Sequence, residues 1–172
     1  VRRALLDPEL VLTSVMPKGL PTDFAELAIP LKVLATDFYA QEQVVLETGP
    51  LLSAVSASIA LPALFSPVVR DGLVLMDGGL VNPLPFDLLR GAADITIAID
   101  VSGASTGPDR HVRPSAYNAL LSSSQILQRS IVREKLKAMQ PDIYIDVEID
   151  EYSILDFHRA GKILEAARPA QD

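Results

Sequence analysis

The sequence predicts an α/β fold with a mostly parallel central sheet. Short apolar runs recur along the chain: Leu31–Thr36, Gln43–Glu47, Leu73–Met76 and Asp94–Val101. Stretches with helical spacing or capping residues lie between them. Asp94–Val101 is the most β-branched of the runs and reads as a strand buried on both faces. Strands that alternate with helices call for crossovers, and crossovers join parallel neighbours. A length of 172 residues suits one domain, and a 49% apolar composition is enough to furnish its core.

The elements follow in order. Asp7-Pro8-Glu9 predicts a helix start: a side-chain cap, a proline in the first turn, then an acid near the positive end of the dipole. That helix runs to about Met16 and stops at Pro17. Phe24–Leu27 is a short turn or helix. The strands Leu31–Thr36 and Gln43–Glu47 come next, the first closed by Asp37. Thr48-Gly49-Pro50 opens a helix from Leu51 to about Ile59, with Leu52, Val55, Ser56 and Ile59 on its inner face. Pro62 ends it. Leu73–Met76 is the third strand. Pro83–Leu89 is a short helix with Gly91 beyond its end.

After the fourth strand, 102–114 is a polar loop. A long helix spans about Pro114 to Met139. Tyr117, Leu120, Leu121, Leu127 and Ile131 form its stripe, which drifts into Val132, Leu136 and Met139. Arg129, Arg133, Lys135 and Lys137 crowd its second half, where cations suit the helix end. Asp142–Asp150 alternates strictly, with Ile143, Ile145, Val147 and Ile149 on one face, as an edge strand does. Ser153 and Asp156 then cap a last helix with Phe157, Ala160, Gly161 and Leu164 inward.

Composition narrows the chemistry. A net charge of -7 with no basic patch argues against nucleic acid as a partner. There are no cysteines, which excludes disulfides, thiolate metal sites and cysteine catalysis. The two histidines, His111 and His158, stand in unlike contexts and do not suggest a metal site. No cofactor is expected, and a glycine-rich phosphate loop of the nucleotide-binding kind is missing. No apolar run is long enough for a membrane span, the longest being broken by Pro62 and Pro67.

The most informative stretch is Met76-Asp77-Gly78-Gly79-Leu80-Val81-Asn82. A carboxylate at the end of an apolar strand sits on rigid backbone. Two glycines directly after it permit a sharp turn and the close approach of another group. Such a placement suits a general base beside a nucleophile. The plainer alternative is structural, since Asp-Gly is a common turn pair.

Three ordered blocks resemble bacterial patatin-like phospholipases: Ile29–Asp37 (IPLKVLATD), Ser56–Val68 (SASIALPALFSPV) and Asp77–Pro85 (DGGLVNPLP). Leu155–Ala160 (LDFHRA) is similar to the end of such domains, so the likeness covers roughly Phe24 to Ala167. The resemblance implies an incomplete patatin-like three-layer sandwich. It implies a serine acyl hydrolase with a Ser–Asp dyad and no histidine, acting on lipid or other acyl esters. It assigns the catalytic aspartate to Asp77 and the motif backbone to Gly78 and Gly79. It places the G-x-S-x-G elbow and the glycine-rich oxyanion loop ahead of Val1. The expectation is therefore a C-terminal portion of a longer enzyme that lacks its nucleophile and is inactive alone. The rival expectation is a non-catalytic module that binds lipid or a partner.

Other residues have plainer expected roles. Asp37 and Asp100 end strands and are expected in turn hydrogen bonds, with a place at the cleft as the alternative. Ser56 and Ser58 lack flanking glycines and are expected to pack as small residues. Ser122, Ser123 and Ser124 lie within the long helix without a strand-to-helix elbow. His158 is expected at the surface, and His111, Arg110 and Arg113 in a solvated loop, an anionic head group being the alternative. Asp142, Asp146, Glu148, Asp150 and Glu151 are expected to form a charged edge and not a calcium site. Leu64, Phe65, Val68 and Val69 serve either the core or an acyl pocket. An open sheet edge predicts homo-oligomers, and the location is expected to be cytoplasmic or membrane-peripheral, with transient membrane contact.

Overall fold

The computed structural model describes residues 6–102, 113–149, 151–152, 156 and 159–171. They belong to two compact units, Val1–Pro83 and Leu84–Asp172.

The first unit opens with α1, Pro8–Val15. Asp7 caps it as expected: Oδ1 accepts from the amides of Glu9 at 2.9 Å and Leu10 at 3.3 Å. A single 3-10 turn, Phe24–Glu26, follows. Then come β1 (Val33–Asp37), β2 (Glu42–Leu46), α2 (Leu51–Ser58), β3 (Val68–Arg70) and β4 (Leu73–Asp77).

The four strands form one sheet in the order β2-β1-β4-β3, and every neighbouring pair is antiparallel. This corrects the expectation of a mostly parallel sheet. The reason lies in the connections. Residues 38–41 join β1 to β2, and Asp71-Gly72 alone joins β3 to β4. Links this short can only reverse the chain, because a parallel neighbour needs a crossover of about a dozen residues. Asp71 (φ 51°) and Gly72 (φ 80°) are both left-handed, which matches the twist of a two-residue hairpin.

Val33–Thr36 is buried at every position, so β1 is a central strand covered on both faces. Around it gather Phe24, Leu46, Leu51, Ala54, Ala57 and Leu75. The buried side of α2 is Leu51, Ala54, Ser56 and Ala57. Of the expected face only Ser56 is fully covered, while Leu52, Val55 and Ile59 are half-buried. Small side chains let the helix lie close to the sheet, so residue size and not apolarity selects the inner face here. Leu64 and Phe65 are buried, Val68 packs against the core, and Val69 is 74% exposed.

The second unit contains a 3-10 turn (Phe86–Leu89), β5 (Ile97–Asp100), α3 (Ala116–Ala138), β6 (Ile143–Asp146) and α4 (Ala160–Ala166). Here a helix does separate the strands, and β5 and β6 pair in parallel. Leu84, Phe86, Ala98 and Val132 form the core, with Leu136 and Met139 against it. Lys135 reaches across to Asp87 at 2.5 Å and to the Leu84 carbonyl at 3.1 Å.

Three expectations change in this unit. β5 is buried on one face only: Ala98 and Asp100 are covered, while Ile97 and Ile99 are about half exposed. Its apolar composition did not indicate which face α3 would cover. On α3 itself, Leu121 and Val132 are buried but Leu120 and Leu127 are exposed; Val132, with Leu136 and Met139 just beyond it, makes the contacts to this core. The last helix begins at Ala160, and Ala160, Gly161 and Leu164 are exposed instead of inward. Ser153 and Phe157 lie outside the described residues.

Candidate active site

Asp77 is the last residue of β4, and two neighbours fix its backbone. Its amide donates to the Ala60 carbonyl at 3.2 Å, just past α2. Its carbonyl accepts from Thr36 Oγ1 at 2.7 Å, a buried hydroxyl on β1. The pairing of Ala35 with Asp77 sets the strand register at this point.

The chain then turns at once into a 3-10 turn, Gly78–Leu80, which Asp77 itself caps. Asp77 Oδ1 accepts from the Gly79 amide at 2.8 Å. Gly78 is required by space. A Cβ there would stand 2.5 Å from the carbonyl oxygen of Leu34 and 2.7 Å from its carbonyl carbon. The expected close approach is thus the packing of the turn on the backbone of β1.

The Asp77 carboxyl is pushed above the ordinary carboxylate range. Burial is the dominant cause, and the Gly79 hydrogen bond opposes it. No cation offsets the burial among the described residues. Oδ2 makes no hydrogen bond among the described residues. A desolvated carboxylate with one oxygen held and one uncommitted is able to accept a proton from an alcohol brought against it.

The other expected residues fall into place separately. Asp37 Oδ1 accepts from the amides of Tyr39 (2.9 Å) and Ala40 (3.1 Å), so it holds the β1–β2 turn. Asp100 accepts from the Ser102 amide at 2.9 Å, the Ser102 hydroxyl at 2.5 Å and the Tyr144 hydroxyl at 3.1 Å. The Tyr144 hydroxyl is pushed up to about 12, by burial first and by Asp100 second. Ser56 is fully buried, and its hydroxyl has no hydrogen-bond partner among the described residues. Ser123 and Ser124 donate to carbonyls of their own helix. Asp142 accepts from the Thr96 amide at 2.7 Å. No group of three or more metal-ligating side chains occurs among the described residues. His111, His158, Arg110 and Asp150 lie outside them.

One sequence expectation needs correction. A G-x-S-x-G does occur: Gly103-Ala104-Ser105-Thr106-Gly107. It lies outside the described residues. It follows Asp77 in the chain, whereas the resemblance puts the serine ahead of the aspartate. An elbow also turns directly from strand into helix. Here Pro108 follows, and α3 starts only at Ala116 behind its cap Ser115.

Sequence reasoning missed the Thr36 contact and the polar ties of Asn82. It also missed β3, although Asp71-Gly72 between two apolar runs is a strong hairpin signal.

Comparison with known proteins converges on the same stretch. Residues 5–90 match the model of the patatin-like phospholipase family. An uncharacterized NTE family protein of Mycobacterium tuberculosis is 38% identical over 112 residues, covering 64% of this chain and 31% of that protein. Patatin-like phospholipase domain-containing protein 7 of Rattus norvegicus is 29% identical over 165 residues, 81% of this chain and 12% of that one. Patatin-like phospholipase domain-containing protein 6 of Homo sapiens is 33% identical over 121 residues, 69% of this chain and 8% of that one. The chain thus spans less than a third of the length of these relatives. No helix among the described residues is long and apolar enough to cross a membrane.

Proposed function

The chain belongs to the patatin-like phospholipase family, and on that premise we propose that it supplies the general base of a lipid acyl-ester hydrolase. Asp77 is that base. The observation that carries the reading is a desolvated carboxylate with one oxygen bound and the other without a hydrogen bond among the described residues, at the end of a buried strand. The nucleophile is a serine in a G-x-S-x-G elbow that precedes these residues in a longer protein, as is the oxyanion loop. These 172 residues are the C-terminal portion of the patatin-like domain.

In this proposal the serine Oγ attacks the ester carbonyl as its proton passes to Asp77 Oδ2. The tetrahedral intermediate collapses, and the leaving alcohol takes the proton from Asp77. Water then attacks the acyl-enzyme, again giving its proton to Asp77; the second tetrahedral intermediate collapses, the serine Oγ leaves and takes that proton back from Asp77, and the fatty acid departs. A base in this role contributes about 10²–10⁴-fold. Gly78 and Gly79 serve by backbone: one permits the close packing, the other donates to Oδ1.

The longer protein is expected to hydrolyse p-nitrophenyl acyl esters, and the 172-residue chain alone to show no turnover. Ser105→Ala in the longer protein should leave the rate unchanged. Turnover by the isolated chain, lost on Ser105→Ala, would overturn the assignment of the serine.

A second reading has one observation in its favour. Asp77 Oδ1 is engaged as a helix cap, which an aspartate of purely structural purpose also does. The chain would then be a non-catalytic module binding lipid or a partner, and the longer protein would show no esterase activity. Under the first reading the expected substrate is a lipid acyl ester, with transient contact at a membrane surface. Self-association through an open sheet edge is part of the same proposal. Light scattering on the 172-residue chain should show dimers or larger species, and a clean monomer would contradict it.

A further inference from the structure

We propose that Thr36, Gln43 and Asn82 form a polar clamp that positions Asp77, resting on the reading of Asp77 as the base. The contacts close a ring. Thr36 on β1 pairs with Gln43 on β2 in the sheet register. Thr36 Oγ1 donates to the Asp77 carbonyl at 2.7 Å. Asp77 Oδ1 accepts from Gly79, and the amide of Asn82 donates to the Gly78 carbonyl at 3.0 Å. Asn82 Nδ2 then donates to Gln43 Oε1 at 2.8 Å, which returns the ring to β2.

Two of the three members are buried, Thr36 at 5% and Asn82 at 7% exposure, while Gln43 is exposed on the edge strand. Buried polar side chains of this kind are retained where their hydrogen bonds hold a geometry. The turn after Asp77 is a single 3-10 turn, too short to keep its own shape. Its entry is pinned by Thr36 and its exit by Asn82. Both anchors refer it to the β1–β2 hairpin, a rigid pair of strands joined by five register positions. Displacement of the turn that carries the Asp77 backbone and the Gly79 amide therefore needs one of the two anchors to break. Gln43 lies on an edge strand and, among the described residues, makes no side-chain hydrogen bond to the carboxyl or to the turn's own backbone. Its effect passes through Asn82. These are positioning residues.

The test uses the longer protein for kinetics and the 172-residue chain for structure. Gln43→Ala and Asn82→Ala should each lower kcat about 10- to 100-fold, with KM within about twofold of the parent value, as expected of a misaimed reacting group. The double variant should lose no more than the worse single one, since both remove the same link. The exchanged pair Gln43→Asn with Asn82→Gln, which keeps the combined reach, should recover most of kcat. Amide exchange at Gly79, read by NMR in the 172-residue chain, should speed up in both single variants. Unchanged kcat and unchanged Gly79 protection in Asn82→Ala would overturn the clamp. So would losses that simply multiply in the double variant. If Asp77→Asn proves fully active, the base assignment fails, and the Gly79 exchange still decides whether the ring holds the turn.

Discussion

Asp77→Asn is expected to abolish ester hydrolysis by the longer protein while making the 172-residue chain more stable at neutral pH. The loss follows from chemistry. Asparagine can keep the hydrogen bond from the Gly79 amide, now made at 2.8 Å, but it cannot accept the serine proton. A fall of about 10²–10⁴-fold is expected.

The gain follows from linkage. Burial raises the pKa of the Asp77 carboxyl in the folded chain above its unfolded value. The folded state therefore holds this proton more tightly. That contribution to stability is fully present below the ordinary carboxylate range, and it is lost as pH rises through the folded value. At neutral pH the ionised group is a cost that asparagine lifts. Urea denaturation at pH 7 should place the variant's midpoint above that of the parent, and the difference should shrink as the pH is lowered. A variant less stable at pH 7, or a gap that widens in acid, would contradict this account of the site.

Gly78→Ala carries the second large effect. The added methyl would lie 2.5 Å from the Leu34 carbonyl oxygen and 2.9 Å from the Leu34 Cβ. Leu34 belongs to a strand buried on both faces, so its backbone cannot withdraw cheaply. Overpacking of this sort costs about 1–3 kcal/mol. The same displacement would move the Asp77 turn, so activity in the longer protein should fall along with stability. Gly161→Ala is the control. It lies in α4 with nothing within 4 Å of a new Cβ. There the substitution should be neutral or gain up to about 1 kcal/mol from helix propensity. Equal effects at the two positions would show that Gly78 is not held by space.

How much of this was legible in the sequence depends on how local each cause is. The Asp7-Pro8-Glu9 start was readable because capping is settled within four residues. The prominence of Asp77-Gly78-Gly79 was readable because an acid, a strand end and two glycines adjoin in the chain. Strand direction was not, since it depends on which strand returns beside which. Treating the stretch around Pro62 and Pro67 as one broken apolar run hid β3, and with it one of the three antiparallel pairs of the sheet. The burial of β5 was misjudged because isoleucine content reports what a face is able to bury and not what covers it. On α2, Ala54 and Ala57 proved more telling than Leu52 and Ile59, because close packing on the sheet favours small side chains. Asn82 before Pro83 reads as an ordinary turn residue. Its tie to Gln43 joins residues 39 positions apart in the chain and has no local signature.

The most direct measurement is active-site labelling of the longer protein with an alkyl fluorophosphonate, with the modified residue located by mass spectrometry. The account predicts one labelled serine, in a G-x-S-x-G ahead of Val1, with labelling slowed by orders of magnitude in Asp77→Asn. Labelling at Ser105, or at an undiminished rate without the Asp77 carboxylate, would contradict it.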